Sequence, residues 1–241
     1  GQAILGLSNG GYYMALDNAN SAGNSVLIRT RTNGTLDTSY NAAGSTPGIA
    51  GTGSSSYAPL GVSALLEDSA GGVVLVGTAS GSSWVQRYTS AGVLDTTFAS
   101  PTGIAAYAPQ SASSVNGLAV QPNGQILMVG VSNAVNPIIM RLYGAAYVDQ
   151  VQQAPDAYPA GTLDLTLNPP TGAFDFATTY PTVNLEDYTA RRMYTYSSNN
   201  AMLFVFDNES NTILMRLNKD FTLDTTFGEG EFESGYVLIP D

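Results

Sequence analysis

Nineteen carboxylates and eight basic side chains, seven of them arginine, carry the charge of this 241-residue chain, and neither histidine nor cysteine occurs. Without histidine the Ser-His-Asp and Cys-His nucleophile systems are excluded, and so are ordinary zinc sites. Without cysteine there are neither thiolates nor disulfides, and redox usage says nothing about compartment. Lys219, the single lysine, lies beside Asp220 in a turn and suits neither a Schiff base nor a Ser-Lys pair. No phosphate loop ending in Gly-Lys-Ser or Gly-Lys-Thr and no Gly-x-Ser-x-Gly elbow is present. Carboxylate pairs remain, because glycoside hydrolysis needs just two acids at a suitable separation. Glu67-Asp68 and Glu186-Asp187 are adjacent, would point to different sides of a strand, and read better as solvated loop acids. The Asp17 to Asn24 and Asp207 to Asn211 loops offer oxygen ligands for calcium, yet neither follows the twelve-residue pattern with its terminal Glu. The expectation is therefore no cofactor, with calcium as the alternative.

Four further acids share one setting: Asp37, Asp95, Asp164 and Asp224 each follow a Leu, in Gly-Thr-Leu-Asp-Thr-Ser-Tyr and three variants of it. The Leu-Asp pairs begin at 36, 94, 163 and 223, and units of that spacing account for the whole chain. Four acids at equivalent positions of a repeat are separated by the repeat, not paired in one site. Arg29, Arg87 and Arg216 stand seven residues before their Leu, and Arg141 precedes Leu163 by 22. The spacing predicts a recurring clamp of Arg on the turn carboxylate or carbonyl, joining Arg29 to Asp37, Arg87 to Asp95, Arg141 to Asp164 and Arg216 to Asp224. Four arginines lining one anion-binding rim is the functional alternative.

The elements that must position these groups are strands. Each unit opens with two apolar runs around a turn, as in Leu118 to Val120, Asn123-Gly124, Ile126 to Gly130, which reads as a β-hairpin. The second strand is apolar almost without interruption and is expected to be buried on both faces. A third strand ends in the arginine. A fourth follows the turn at Gly48-Ile49-Ala50, Gly103-Ile104-Ala105, Gly172-Ala173-Phe174 and Gly230-Glu231-Phe232. The pattern is an all-β, β-propeller-like array of four four-stranded antiparallel repeats, near 1-57, 58-112, 113-187 and 188-241, in a single repeat domain over 1-241.

The repeat breaks twice. About fifteen extra residues follow the third strand of the third copy, within 143-160. Loops on a regular scaffold carry function disproportionately, so Tyr143, Tyr147, Gln150, Gln153 and Tyr158 are candidates for recognising a glycan or a protein, with the tyrosines left exposed by the insertion. The chain end, Tyr236, Val237, Leu238 and Ile239, reads as a strand with no hairpin partner of its own, available for ring closure or for a neighbouring subunit.

The unit of Asn-Gly, Ile-Leu-Met-Val-Gly, Arg, Leu-Asp-Thr-Thr-Phe and Gly resembles the delta-sixty repeat of bacterial surface and secreted proteins, best over 72-103, 122-141 and 212-230. Departures are Tyr40 at the Phe position, Leu165 and Leu167 in the third copy, and the missing Gly before Leu223. The resemblance implies a propeller-like fold on exported proteins and transfers no catalytic residues.

A net charge of -11 argues against a phosphate backbone as partner, since that affinity comes from Lys and Arg displacing counterions. No apolar run approaches the roughly 20 residues of a membrane helix. Scarce Lys with plentiful Ser, Thr, Asn and Gly suits an extracellular or cell-surface protein, and beginning at Gly1 fits either loss of a leader or excision from a longer chain. The expected function is a non-enzymatic structural or adhesive protein that associates with itself into a larger assembly or filament. The alternatives are a binding module using the 143-160 loop and, more weakly, a carboxylate-pair glycoside hydrolase.

Overall fold

A computed structural model describes residues 3-17, 25-51, 61-68, 70-79, 82-107, 114-132, 136-144, 147-148, 157-167, 171-196, 198-228 and 235-240. The fold is all-β and contains four four-stranded antiparallel sheets. The first holds β1 (Ala3–Gly6), β2 (Tyr12–Asp17), β3 (Ser25–Thr30) and β4 (Ile49–Gly51); the second holds β5 (Val62–Glu67), β6 (Val73–Ala79), β7 (Ser82–Tyr88) and β8 (Ile104–Tyr107). The third takes β9 (Ser114–Val120), β10 (Ile126–Ser132) and β11 (Asn136–Leu142), then passes through a two-stranded hairpin, β12 (Tyr147–Val148) with β13 (Ala157–Tyr158), before its fourth strand β14 (Ala173–Asp175). The fourth holds β15 (Thr189–Thr195), β16 (Met202–Asp207), β17 (Asn211–Leu217) and β18 (Tyr236–Pro240). Within every four-stranded sheet the strands pair in chain order.

The hairpins form where the sequence places them. At the third, Gly124 has φ +83°, its N–H donates to Gln121 O at 2.8 Å, and Asn123 Oδ1 accepts the Gln125 N–H at 3.1 Å. A side chain-bearing residue rarely adopts that φ, so Asn-Gly makes the turn cheap. No helix among the described residues is long and apolar enough to cross a membrane.

Two expectations are corrected. Tyr236 to Ile239 is not a strand without a partner: it lies in β18, the fourth strand of its own sheet, with Met215 paired to Tyr236 and Ile213 to Leu238. The cause is loop length. Gly235 is the residue whose Cβ would collide with the motif Leu, as would that of Gly48, Gly103 or Gly172, in each case at 2.9 Å or closer. Twelve residues separate Leu from this Gly in the first and last repeats and nine in the middle two. Gly230-Glu231-Phe232 lies outside the described residues. The second correction concerns burial: β6 and β10 are buried on both faces, but β2 and β16 alternate.

The chain divides into two compact units: 1-108 with 143-162, and 109-142 with 163-241. The first unit packs Tyr13, Leu27, Tyr40, Leu75 and Trp84 into its core. The second is built on an aromatic cluster in which Phe176 meets Phe204 and Phe206 edge to face at 5.0 and 4.9 Å.

Candidate functional site

The four Arg-Asp clamps form, in nearly identical geometry. Each third strand ends just beyond its Arg, and the following Leu makes a lone bridge back to that end, Thr30 with Leu36, Tyr88 with Leu94, Leu142 with Leu163 and Leu217 with Leu223. The next residue is the Asp, whose N–H donates to the carbonyl of its own Arg: Asp37 to Arg29 at 2.9 Å, Asp95 to Arg87 at 2.8 Å, Asp164 to Arg141 at 2.7 Å and Asp224 to Arg216 at 2.9 Å. Oδ2 of the same Asp takes the guanidinium. Arg87, Arg141 and Arg216 donate from Nε at 2.8, 2.7 and 2.7 Å, and Arg29 stands off at 3.5 Å. Oδ1 caps the turn, accepting the amide and, at 2.6 Å, the hydroxyl of Ser39, Thr97, Thr166 or Thr226.

Each carboxylate thus uses both oxygens inside its own turn. The Ser39 hydroxyl holds Asp37 below the usual carboxylate range, and the Thr226 hydroxyl does the same for Asp224. Burial pushes Asp95 up, but Thr97 and Arg87 outweigh it and its pKa is lowered. An acid already engaged at both oxygens makes a turn staple and a poor general base.

Aromatic rings complete the clamps, a feature the spacing did not disclose. Arg87 lies over Phe98 at 4.7 Å and Arg216 over Phe227 at 4.8 Å, each ring being the last residue of the motif. Arg29 sits near Tyr13 and Tyr40 at 5.6 and 5.8 Å. The third motif ends in Leu167, and Arg141 instead lies over Phe221 at 5.5 Å. Phe221 occupies the position held by Gly34, Gly92 and Gly161 in the other motifs, at φ +64°. Two of the departures from the motif, Leu167 and Phe221, line one depression of about 350 Å³ together with Arg141, Thr166, Tyr180 and Lys219.

In the inserted segment Tyr143 is buried, which corrects its expected exposure. Its N–H donates to Thr162 O at 3.0 Å, its carbonyl accepts from Gly161 N–H at 2.6 Å, and its ring stacks on Tyr158 at 5.1 Å. Those bonds draw the start of the insertion against its end. Tyr147 enters β12, paired with Tyr158 across the small hairpin. Gln150 and Gln153 lie outside the described residues. Arg87 Nη1 donates to Gly144 O at 2.5 Å, so the second clamp also holds the base of the insertion.

The remaining acids are dispersed. Glu67 accepts from Ser8 N–H at 3.0 Å, and Asp68 caps its hairpin turn through Ala70 and Gly72 at 2.9 and 2.8 Å. Asp187, Asp207 and Glu209 border a second depression of about 580 Å³, where Arg191 pairs with Asp207 at 2.7 Å. Asn208 spends its carbonyl oxygen on Ser210 and Asn211. Among the described residues no three His, Cys, Asp or Glu side chains are grouped as metal ligands. The loop from Asn18 to Asn24 lies outside the described residues.

Fold and clamps define the class: an all-β repeat protein whose recurring charged residues staple its turns. No family model matches the chain, and no curated protein matches it either.

Proposed function

We propose that this chain is a non-enzymatic, extracellular structural or adhesive β-repeat protein of propeller-like design that associates with itself. The observation that carries this reading is the distribution of exposed large apolar side chains. Ile4, Tyr12 and Leu36 belong to the first repeat and Tyr194, Tyr196 and Ile239 to the last, with only Val93 and Leu165 between them among the described residues. Apolar surface concentrated at two places is the mark of an interaction site, whereas scattered single residues are ordinary. The motif acids, engaged at both oxygens, favour a scaffold over a hydrolase, and a composition poor in Lys and rich in Ser, Thr, Asn and Gly suits the exterior of a cell.

Sedimentation velocity over a concentration series, with electron microscopy of the same samples, tests the reading. Species heavier than the 25.1 kDa chain are expected. A monomer at every concentration removes self-association, and turnover of a polysaccharide panel removes the non-enzymatic assignment. Recovery of the protein from the cytoplasmic fraction of its source cells removes the extracellular one.

A further inference from the structure

The first and last repeats expose opposite faces of their equivalent sheets. Tyr12, Val73, Ile126 and Met202 are equivalent, since each pairs with the last residue of its third strand: Thr30, Tyr88, Leu142 and Leu217. From that register, Tyr13 and Ala15 of β2 are fully buried while Tyr12 is 44% exposed and Met14 and Leu16 are half-buried. In β16 the parity reverses: Met202, Phe204 and Phe206 are fully buried, and Leu203 and Val205 are half-buried. The third strands agree. Leu27 is buried between half-buried Val26 and Ile28, whereas Leu214 is half-buried between buried Ile213 and Met215. In β6 and β10 both faces are buried. The first strands repeat the contrast, with Ile4 68% exposed and its equivalent Met193 buried, and Tyr194 57% exposed where its equivalent Ala119 is buried.

The junctions between successive repeats show what such faces bind. In the first unit, a Cβ on Gly92 would come within 3.0 Å of the Tyr40 ring, and one on Gly161 within 3.1 Å of the Phe98 ring. The residue after each ring donates its N–H onward, Asn41 to Ala91 O at 2.8 Å and Ala99 to Ala160 O at 2.7 Å. Arg29 Nη1 reaches Ser90 O at 3.0 Å. In the second unit, β15 lies along β9, with Thr195 Oγ1 donating to Val120 O at 3.0 Å and Asn116 Nδ2 to Ala190 O at 2.9 Å. The terminal repeats hold unused halves of this arrangement. A Cβ on Gly34 would meet nothing within 4 Å, and Phe227 is half-buried where Tyr40 and Phe98 are fully buried.

We infer that the face bearing Ile4, Tyr12 and Gly34 docks on the face bearing Tyr194, Leu203 and Phe227 of a second copy of this chain, head to tail. The inference rests on the self-association proposed above and adds the partner and the two faces. It continues the junctions already present within the chain: the Phe227 ring meets Gly34 of the next copy, and Arg216 stands opposite its Thr32 carbonyl as Arg29 stands opposite Ser90. Because the two faces differ, the contact is heterologous, and repetition yields a ring or an open filament in place of a closed two-fold dimer.

The chain lacks cysteine, so single thiols can be placed at will. Ile4→Cys and Tyr194→Cys chains are treated with a short bis-maleimide, separately and mixed. Covalent dimer from the mixture alone is expected, and Tyr12→Glu in the Ile4→Cys chain should weaken the association on the order of a hundredfold by burying a charge at the contact. Circular dichroism verifies the fold of each variant, and the pair Tyr12→Cys with Leu203→Cys serves if one of the first pair does not fold. Dimer from either single variant, or assembly by sedimentation without mixed crosslinks, overturns the inference and leaves self-association standing. Intramolecular crosslinking in a dilute Ile4→Cys/Tyr194→Cys monomer overturns the second copy as occupant. A monomer at every concentration removes both readings.

Discussion

The first two repeats and the last two solve one packing problem with opposite assignments of volume. In the first unit a large motif ring meets a glycine, Tyr40 against Gly92 and Phe98 against Gly161. In the second unit the motif ends in the smaller Leu167, and the glycine position is filled by Phe221, whose ring packs edge to face on Phe174 at 5.6 Å and under Arg141. The large ring thus comes from the end of the motif in the first unit and from the glycine position in the second, with the side chain that packs the junction changing sides. The clamps differ in parallel. Asp164 is wholly buried and takes a Gln125 amide in addition to Arg141, whereas Asp37 is 13% exposed and its Arg29 stands off at 3.5 Å. Two deviations that look independent along the chain, Leu167 and Phe221, border the same depression.

That comparison breaks most visibly at the arginines. Arg141→Leu should cost about 3–5 kcal/mol, because it leaves Asp164 charged and buried without its cation. Arg29→Leu, at the looser and more open clamp, should cost about 1 kcal/mol. Urea unfolding of both variants measures the gap, and equal losses would refute the difference between the clamps. Next in size are the glycines. Gly92→Ala drives a methyl to 2.6 Å from the Asn41 nitrogen at φ +82° and should cost about 2–4 kcal/mol. Gly34→Ala has the same backbone but open space, and about 1 kcal/mol is expected from φ +79° alone. A smaller effect separates compensation from coincidence. Restoring the motif with Leu167→Phe and Phe221→Gly together should be less destabilising than the two single losses added, with a coupling of about 1–2 kcal/mol; strict additivity would mean the positions do not share volume.

The smallest effect is with acid. Asp37, Asp95 and Asp224 have folded pKa values lowered from their ordinary range. Their stabilisation is complete above the unfolded value near about 4 and is lost as pH falls through the folded values. Melting temperature should drop between about pH 5 and pH 2. Asp95→Asn should lower it at neutral pH and flatten that drop, and an unchanged slope would show that this clamp is not titrating.

Strands, hairpin turns and clamps were legible in the sequence because each depends on residues within a few positions of one another: Asn123-Gly124 for a turn, Arg87 and Asp95 for a staple. The fourth strand of the last repeat is not legible in the sequence because two glycines, Gly230 and Gly235, follow the motif and composition does not choose between them, whereas the structure sets Gly235 against Leu223 and starts the strand at Tyr236. The twelve-residue spacing shared with Leu36 and Gly48 was the available signal. Parity of burial in β2 and β16 was not legible, since Tyr12 to Leu16 and Met202 to Phe206 are as apolar as their buried counterparts. Burial of Tyr143 is not legible either: a tyrosine in an insertion reads as exposed until its backbone bonds to Gly161 and Thr162 bring the ends of the insertion together.

Trp84 is the single tryptophan, buried in β7 of the first unit with Gly77 against its indole. Its fluorescence therefore watches one unit, and the second carries no such chromophore. Should the units melt separately, the emission change and the far-ultraviolet dichroism change will fall at different temperatures, and coincident curves will mark a single cooperative transition. The chain contains its own optical label for deciding whether four repeats unfold as one body or as two.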